Sequence, residues 1–257
     1  MKVRVFASSS SGNCLLLSDG GTNILLDAGI SMRRVEKALD NINLSMREIG
    51  GVLITHEHSD HISGLKMLMK HYDFPVFAPS TVANHLRGML PEIDGRLRVI
   101  PVGQFFELGS LRVMAFHTSH DTAESVGYRF EGRGSFALAT DTGCITEEVY
   151  QGLLGAKAVL IESNHDENML CDGPYPVYLK RRILSNRGHL SNESCARLAR
   201  ALVENGCDTV ILGHLSCQNN DPRLAVNETE KALFGCNASI VCAPKLGMLE
   251  IDIGEGI

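Results

Sequence analysis

The feature that most constrains the fold is a run of metal-ligand residues at the end of an apolar strand. Gly51-Val52-Leu53-Ile54-Thr55 reads as a buried strand, followed at once by His56-Glu57-His58-Ser59-Asp60-His61 and then by a helical pattern. Four candidate ligands, His56, His58, Asp60 and His61, fall within these six residues. If Asp60 turns back into a tight loop, His56 and His58 face one metal while Asp60 and His61 face its neighbour, a division that a single tetrahedral zinc does not require. The competing reading, a polar helix cap, needs one Ser, Thr or Asp and has no use for three imidazoles beside it. A metal pair also needs ligands from distant parts of the chain, each delivered at a strand end where loops converge.

Strand-then-ligand pairs do recur. His120 follows Leu111-Arg112-Val113-Met114-Ala115-Phe116, Asp141 follows Phe136-Ala137-Leu138-Ala139-Thr140, and His214 follows Thr209-Val210-Ile211-Leu212-Gly213. Asp27 ends Asn23-Ile24-Leu25-Leu26 and reads as a group that holds a ligand imidazole from behind. Any one of these alone is more simply a structural residue. The ordered set Asp27, His56/His58/Asp60/His61, His120, Asp141, His214 points to one site.

In that order the sequence resembles the metallo-β-lactamase fold hydrolases over nearly the whole chain. The resemblance implies an α/β architecture, the αββα sandwich of two mixed β-sheets packed face to face with helices outside. Transferred by position, it implies a first metal site of His56, His58 and His120 and a second of Asp60, His61 and His214, bridged by Asp141. A carboxylate at the bridging position differs from the Cys of the antibiotic-hydrolysing branch, and His58 differs from the Glu of the oxygen-reducing branch. What remains is hydrolysis, chiefly of phosphodiesters or thioesters.

A chain of 257 residues with 44% hydrophobic content can bury one sizeable core, and a single domain over residues 1–257 is expected, as two half-domains meeting near residue 150. Strands are predicted near 2–6, 13–18, 22–27, 51–55, 75–78, 110–117, 125–130, 135–140, 157–162, 208–213, 239–243 and 247–252. Helices are predicted over 62–72, 80–88, 146–154, 175–185, 191–205 and 222–234. The clearest is 191–205, with Ser191 as N-cap, an apolar stripe of Cys195, Leu198, Ala199, Leu202 and Val203, and an Asn205-Gly206 stop. No secretory or membrane-spanning run is visible, so a cytoplasmic protein is expected. Eight Cys without a C-x-x-C pair read as reduced, mostly buried thiols.

The stretch 162–190 bears on the branch. A buried Glu162 at a strand end and His189 before a helix start would form a pair in which the carboxylate fixes the ring's tautomer, placing His189 to protonate a phosphodiester's leaving oxygen. A His that only caps or packs is the other reading. The first amides of the following helix, at Asn192, can receive a phosphate oxygen. His165 is a further candidate behind the ligands. Ser10 and Ser11, in the loop Ser8-Ser9-Ser10-Ser11-Gly12-Asn13-Cys14, could hold a terminal phosphate or simply form a flexible turn. This loop and the 162–190 segment closely resemble the bacterial WalJ (YycJ) group, which is associated with 5′ to 3′ exonuclease activity on double-stranded DNA. The Glu162 and His189 pair also resembles that of tRNase Z.

Charge opposes tight duplex binding, since 24 basic against 30 acidic side chains give −6. The basic cluster Lys180, Arg181, Arg182 is either a solvated helix face or a local grip on a strand end. The expected activity is hydrolysis at two divalent ions, Mn2+ or Zn2+ with Fe permitted by the ligand types, in which Asp60 and Asp141 hold the metals and His189, oriented by Glu162, assists the leaving group. The expected substrate is the 5′ end of DNA. An RNA-processing enzyme, a small-molecule phosphodiesterase and a glyoxalase II-like thioesterase stay open.

Overall fold

Alternation at a period of two builds the molecule. A computed structural model describes residues 1–254 and contains two sheets of seven strands each. The first holds β1 (Lys2–Ala7), β2 (Cys14–Asp19), β3 (Thr22–Leu26), β4 (Gly51–Leu53), β5 (Val76–Ala78), β6 (Leu97–Val99) and β14 (Leu249–Asp252), in the order β14-β1-β2-β3-β4-β5-β6. The second holds β7 (Phe105–Leu108), β8 (Leu111–His117), β9 (Val126–Glu131), β10 (Ser135–Ala139), β11 (Ala158–Glu162), β12 (Thr209–Gly213) and β13 (Ser239–Cys242), in the order β13-β12-β11-β10-β9-β8-β7. Both sheets are mixed: β3 to β6 run parallel and so do β10 to β13, with antiparallel strands completing each.

Neighbouring residues on one strand go to different layers. Leu15, Leu17, Ile24 and Leu26 face the other sheet, where they meet Phe130, Phe136, Leu138 and Leu160. Leu16 and Leu25, one position away, face outward against Val35, Leu39, Leu65 and Leu68. Val159 and Ile161 likewise leave the inter-sheet core for Leu198 and Leu202. The strands are apolar on both faces because both faces are covered. The layers are therefore helix, sheet, sheet, helix, as expected.

The helices among the described residues are α1 (Met32–Asp40), α2 (Ser59–Ile62), α3 (Leu65–His71), α4 (Ser80–Met89), α5 (Glu147–Leu153), α6 (Glu167–Asp172), α7 (Val177–Ile183), α8 (Asn192–Glu204) and α9 (Pro222–Ala232). The Ser191 hydroxyl caps α8 by accepting from the Ser194 amide at 3.3 Å, and Thr146 and Asp221 cap α5 and α9 in the same way. None of these helices is long and apolar enough to cross a membrane.

Several expectations need correction. The chain passes from the first sheet to the second between Val99 and Phe105, and β14 returns to the first, so the halves do not divide near residue 150. The helix expected over 62–72 begins only at Leu65, as α3, after a turn at Ser63 and Gly64 that parts it from α2; the Gly64 amide donates to the Ala28 carbonyl at 2.7 Å, and a Cβ there would stand 2.0 Å from the Ile30 carbonyl oxygen. The helices α1 and α6 and the strands β6 and β7 were not anticipated. All eight cysteines are free, but only Cys14, Cys195 and Cys207 are buried.

Candidate metal centre

The parallel strands of both sheets deliver their C-terminal ends to one cleft. Asp27 follows β3, His56 to His61 follow β4, Asp141 follows β10, Glu162 ends β11 and His214 follows β12. Asp27, Asp141 and His214 all take left-handed backbone, with φ of 57°, 55° and 55°. Such backbone is uncommon outside glycine and typically costs about 1–3 kcal/mol, so three cases at strand ends in one cleft mark a place where side-chain direction outweighs local strain. The metal loop is held just as tightly: Asn13 N donates to the Asp60 carbonyl at 2.8 Å, and a Cβ on Gly29 would lie 1.6 Å from that same oxygen.

Two donor sets result. In the first, His58 Nδ1 lies 3.2 Å from His120 Nε2, and these two rings and His56 bring ligand nitrogens within 4.8 Å of one another. In the second, Asp60 Oδ2 lies 3.4 Å from both His61 Nε2 and His214 Nε2. Asp141 stands between them, with Oδ2 3.2 Å from His61 Nε2 and Oδ1 3.5 Å from His214 Nε2 and 3.7 Å from His120 Nε2.

The groups behind these donors orient them. Asp27 accepts from His61 Nδ1 at 2.7 Å and from the Thr55 amide at 2.9 Å. Thr55 Oγ1 lies 3.1 Å from His56 Nδ1, and the Gly188 carbonyl lies 3.2 Å from His120 Nδ1. One oxygen of Glu162 serves two rings, His214 Nδ1 at 2.8 Å and His189 Nδ1 at 2.7 Å, while the other accepts the Thr142 amide at 3.0 Å. Four ligand rings thus use Nδ1 for the protein and turn Nε2 to the cleft, the tautomer arrangement of metal-binding histidines.

The electrostatics suit a cation. Burial, with His61 beside it, pushes His56 well below the ordinary imidazole range, and burial also lowers His120, so both are neutral rings ready to bind. Burial alone would lower His61 and His214, but the carboxylates of Asp27 and Asp141 raise His61, and those of Asp141, Asp60 and Glu162 raise His214. The same balance raises His189 beside Glu162. Burial would raise Asp60 and Asp141, yet the surrounding imidazoles hold them well below the usual carboxylate range.

The residues fit divalent metals on observations internal to the structure. His56 Nε2 and Asp141 Oδ2, one from a donor set and one from the carboxylate between them, are buried without a hydrogen-bond partner, as ligand atoms turned toward a metal would be. The 3.2 Å between His58 Nδ1 and His120 Nε2 is close to the roughly 3.3 Å edge of a tetrahedron with metal–nitrogen bonds of about 2.0–2.1 Å.

Not every expected residue converges. Asn192 is buried: its backbone amide, the group expected to receive a phosphate oxygen, donates to the His165 carbonyl at 2.9 Å, and its side chain bonds Asn220 at 2.9 Å and Ser163 at 2.7 Å. His165 makes no hydrogen bond to any ligand; its ring nitrogens are buried without partners and its carbonyl accepts the Asn192 amide. Ser10 and Ser11 are exposed at the tip of their loop, and Ser11 Oγ lies 3.9 Å from Cys217 Sγ. Lys180 Nζ donates to the Cys171 carbonyl at 2.6 Å, Arg182 pairs with Asp121, and Arg181 is exposed. Three residues of the centre were missed: Asp121, with Oδ1 3.4 Å from His120 Nε2; Asn13, with Nδ2 3.0 Å from His61 Nε2; and Ser8, whose hydroxyl accepts the His214 amide at 2.8 Å. Only the position of Asp121 next to His120 hinted at its place.

Comparisons with known proteins agree with this geometry. The family described as the beta-lactamase superfamily domain matches residues 22–214. The exodeoxyribonuclease YycJ of Bacillus anthracis is 39% identical over 225 residues, 86% of this chain and 84% of that protein. The exodeoxyribonuclease WalJ of Streptococcus pneumoniae is 35% identical over 242 residues, 91% of this chain and 90% of that protein. Among solved structures, the metallo-β-lactamase fold protein YhfI of Bacillus subtilis superposes with a TM-score of 0.74 at 15% identity, covering 97% of this chain and 99% of the other. Strand ends that converge on imidazoles and carboxylates, and a sequence match over most of the chain, place this protein in the β-lactamase superfamily as a metal-dependent hydrolase.

Proposed function

We propose that the protein is a two-metal phosphodiesterase that removes nucleotides from the 5′ ends of DNA. The position of Asp141 between the two donor sets is the observation that carries the metal pair, and the names of the two bacterial relatives support DNA as substrate. In this reading His56, His58 and His120 hold one ion, Asp60, His61 and His214 the other, and Asp141 reaches both. Manganese and zinc both suit these ligands, and iron does too. Bound metals supply a water of lowered pKa and offset charge growing on the phosphoryl oxygens.

The chain's own groups do the rest. As water oxygen bonds to phosphorus and the P–O3′ bond breaks, a proton must reach the departing oxygen. His189 is suited to deliver it, because Glu162 engages Nδ1 and favours the protonated ring, leaving Nε2 for the leaving group. Glu162 also touches His214, so the proton donor is tied to a metal ligand through one carboxylate oxygen. Asp27 and Thr55 prevent His61 and His56 from rotating away.

The test is a gel assay with 5′- and 3′-labelled single- and double-stranded DNA and RNA against manganese, zinc and iron. Stepwise loss from the 5′ end of DNA is expected. Cleavage of RNA alone, or of bis(p-nitrophenyl) phosphate and no polymer, replaces the reading with an RNA-processing enzyme or a small-molecule phosphodiesterase; turnover of thioesters alone replaces it with a thioesterase.

A further inference from the structure

Four of the five ligand rings have a protein group on Nδ1, and His58 is the exception. It is turned the other way. Its Nδ1 lies 3.2 Å from His120 Nε2, within the first donor set, so Nε2 is the nitrogen left for the protein. A ring bound through Nδ1 carries its proton on Nε2 and needs an acceptor there to fix its direction. Among the described residues, no hydrogen bond to His58 Nε2 is made, but a carboxylate faces it: Asp121 Oδ1 stands 3.9 Å away. A charge-assisted hydrogen bond of about 2.7–2.9 Å is only about 1 Å shorter, a shift within reach of a half-exposed ring.

Asp121 Oδ1 is itself shielded from solvent and accepts no hydrogen bond. Such an atom marks a place kept for a donor. His120 is not that donor, although Oδ1 lies 3.4 Å from its Nε2, because His120 Nδ1 already faces the Gly188 carbonyl and its Nε2 belongs to the donor set. Nor does Asp121 join any of the groups of three or more ligand atoms that lie within 4.8 Å of one another among the described residues.

Two arginines hold Asp121 in place. Arg182 Nε donates to Oδ2, which leaves Oδ1 for the imidazole. Arg187 fixes the backbone on either side, with Nε on the His120 carbonyl and Nη2 on the Thr122 carbonyl at 2.9 Å each. These contacts give both basic side chains a role that needs no nucleic acid.

We propose that Asp121 is the positioning carboxylate of His58, held for that task by Arg182 and Arg187, and that it fixes the ring that offers Nδ1 to the first donor set. The proposal rests on the metal-pair reading above.

The experiment titrates Zn2+ into metal-free native protein, Asp121→Ala, Asp121→Asn, Arg182→Ala and Arg182→Lys, and follows the His58 Nε2 proton of the zinc-loaded forms by NMR with 15N-labelled histidine. Asp121→Ala should weaken one of the two binding steps by about 10- to 100-fold and shift the His58 Nε2 proton upfield, with turnover near native once metal is saturating. Asp121→Asn keeps an acceptor without its charge and should fall between; Arg182→Ala should weaken the same step less, and Arg182→Lys should restore it. If Asp121→Ala does not fold, Asp121→Asn and the Arg182 pair carry the test. Two native steps that no variant weakens, an unmoved His58 proton, or an unaffected Arg182→Ala protein overturn the proposal and leave the metal pair standing. Loss of an oxygen neighbour from the zinc X-ray absorption spectrum of Asp121→Asn would make Asp121 a ligand, and lost turnover at saturating metal would make it catalytic; either result also overturns the positioning role. A native protein that binds fewer than two ions overturns the metal pair and the proposal together.

Discussion

The two donor sets on either side of Asp141 are not equivalent. In the second, each imidazole is backed by a carboxylate, His61 by Asp27 at 2.7 Å and His214 by Glu162 at 2.8 Å. In the first, His56 is backed by the Thr55 hydroxyl, His120 by the Gly188 carbonyl, and His58 is half-buried, with its Nδ1 on His120. Carboxylate backing raises the basicity of a ligand ring and costs affinity when removed. One centre thus presents a tightly supported set and a looser, more open one, and the open one lies beside Asp121 and its partner Arg182. If the reading as a metal pair holds, the second set retains its ion longer during chelation, and substrate enters over the first.

The largest expected effect joins the sets. Asp141→Ala should abolish turnover and bring metal content below two ions per chain by elemental analysis; a native content of one ion, unchanged by the substitution, breaks the comparison at its root. Next comes His189→Ala, expected to lower kcat by about 10² to 10⁴ with metal content intact. Loss of metal in that variant would make His189 a ligand of the second set instead of its neighbour.

A smaller effect tests the asymmetry itself. Asp27→Ala should weaken one of two metal-binding steps by about 10- to 100-fold and leave the other in place, as resolved by titration of the metal-free protein. Equal weakening of both steps would mean that Thr55, which touches Asp27, His56 and His61, couples the sets into one unit. The smallest effect lies outside both. Arg181→Glu should weaken DNA degradation and reduce its salt slope by about one, without altering metal content; no change in slope would make the basic run a solvated face.

The ligands were legible for a local reason. His56 to His61 sit together in sequence, and each distant partner directly follows an apolar strand, so the pattern survives without knowledge of the fold. Of the missed elements, α1 carried a signal in the spacing of Val35 and Leu39 that was not read, whereas the others lacked one. Strand β7 buries none of its residues fully, β6 buries only Leu97, and α6 buries only Leu170, so hydrophobic periodicity had almost nothing to report. Asn192 shows the opposite case. Its position at a helix start was readable, but the partner of its backbone amide, the His165 carbonyl, is supplied by a distant loop.

The amino-acid sequence by itself determined which side chains reach the ends of strands and, through the period of two, which layer each strand residue enters: Leu16 and Leu25 outward, Leu15 and Leu26 inward. Tertiary structure alone decided which group backs which ring. Asp27 meets His61 because β3 pairs with β4, and Glu162 meets His214 because β11 pairs with β12. It also turned Asp121 toward His120 and left α7 with no residue buried. The physical reason is that side-chain direction along a strand is a local property of the pleat, whereas a hydrogen-bond partner is fixed by strand order, which pairs residues that the chain keeps far apart.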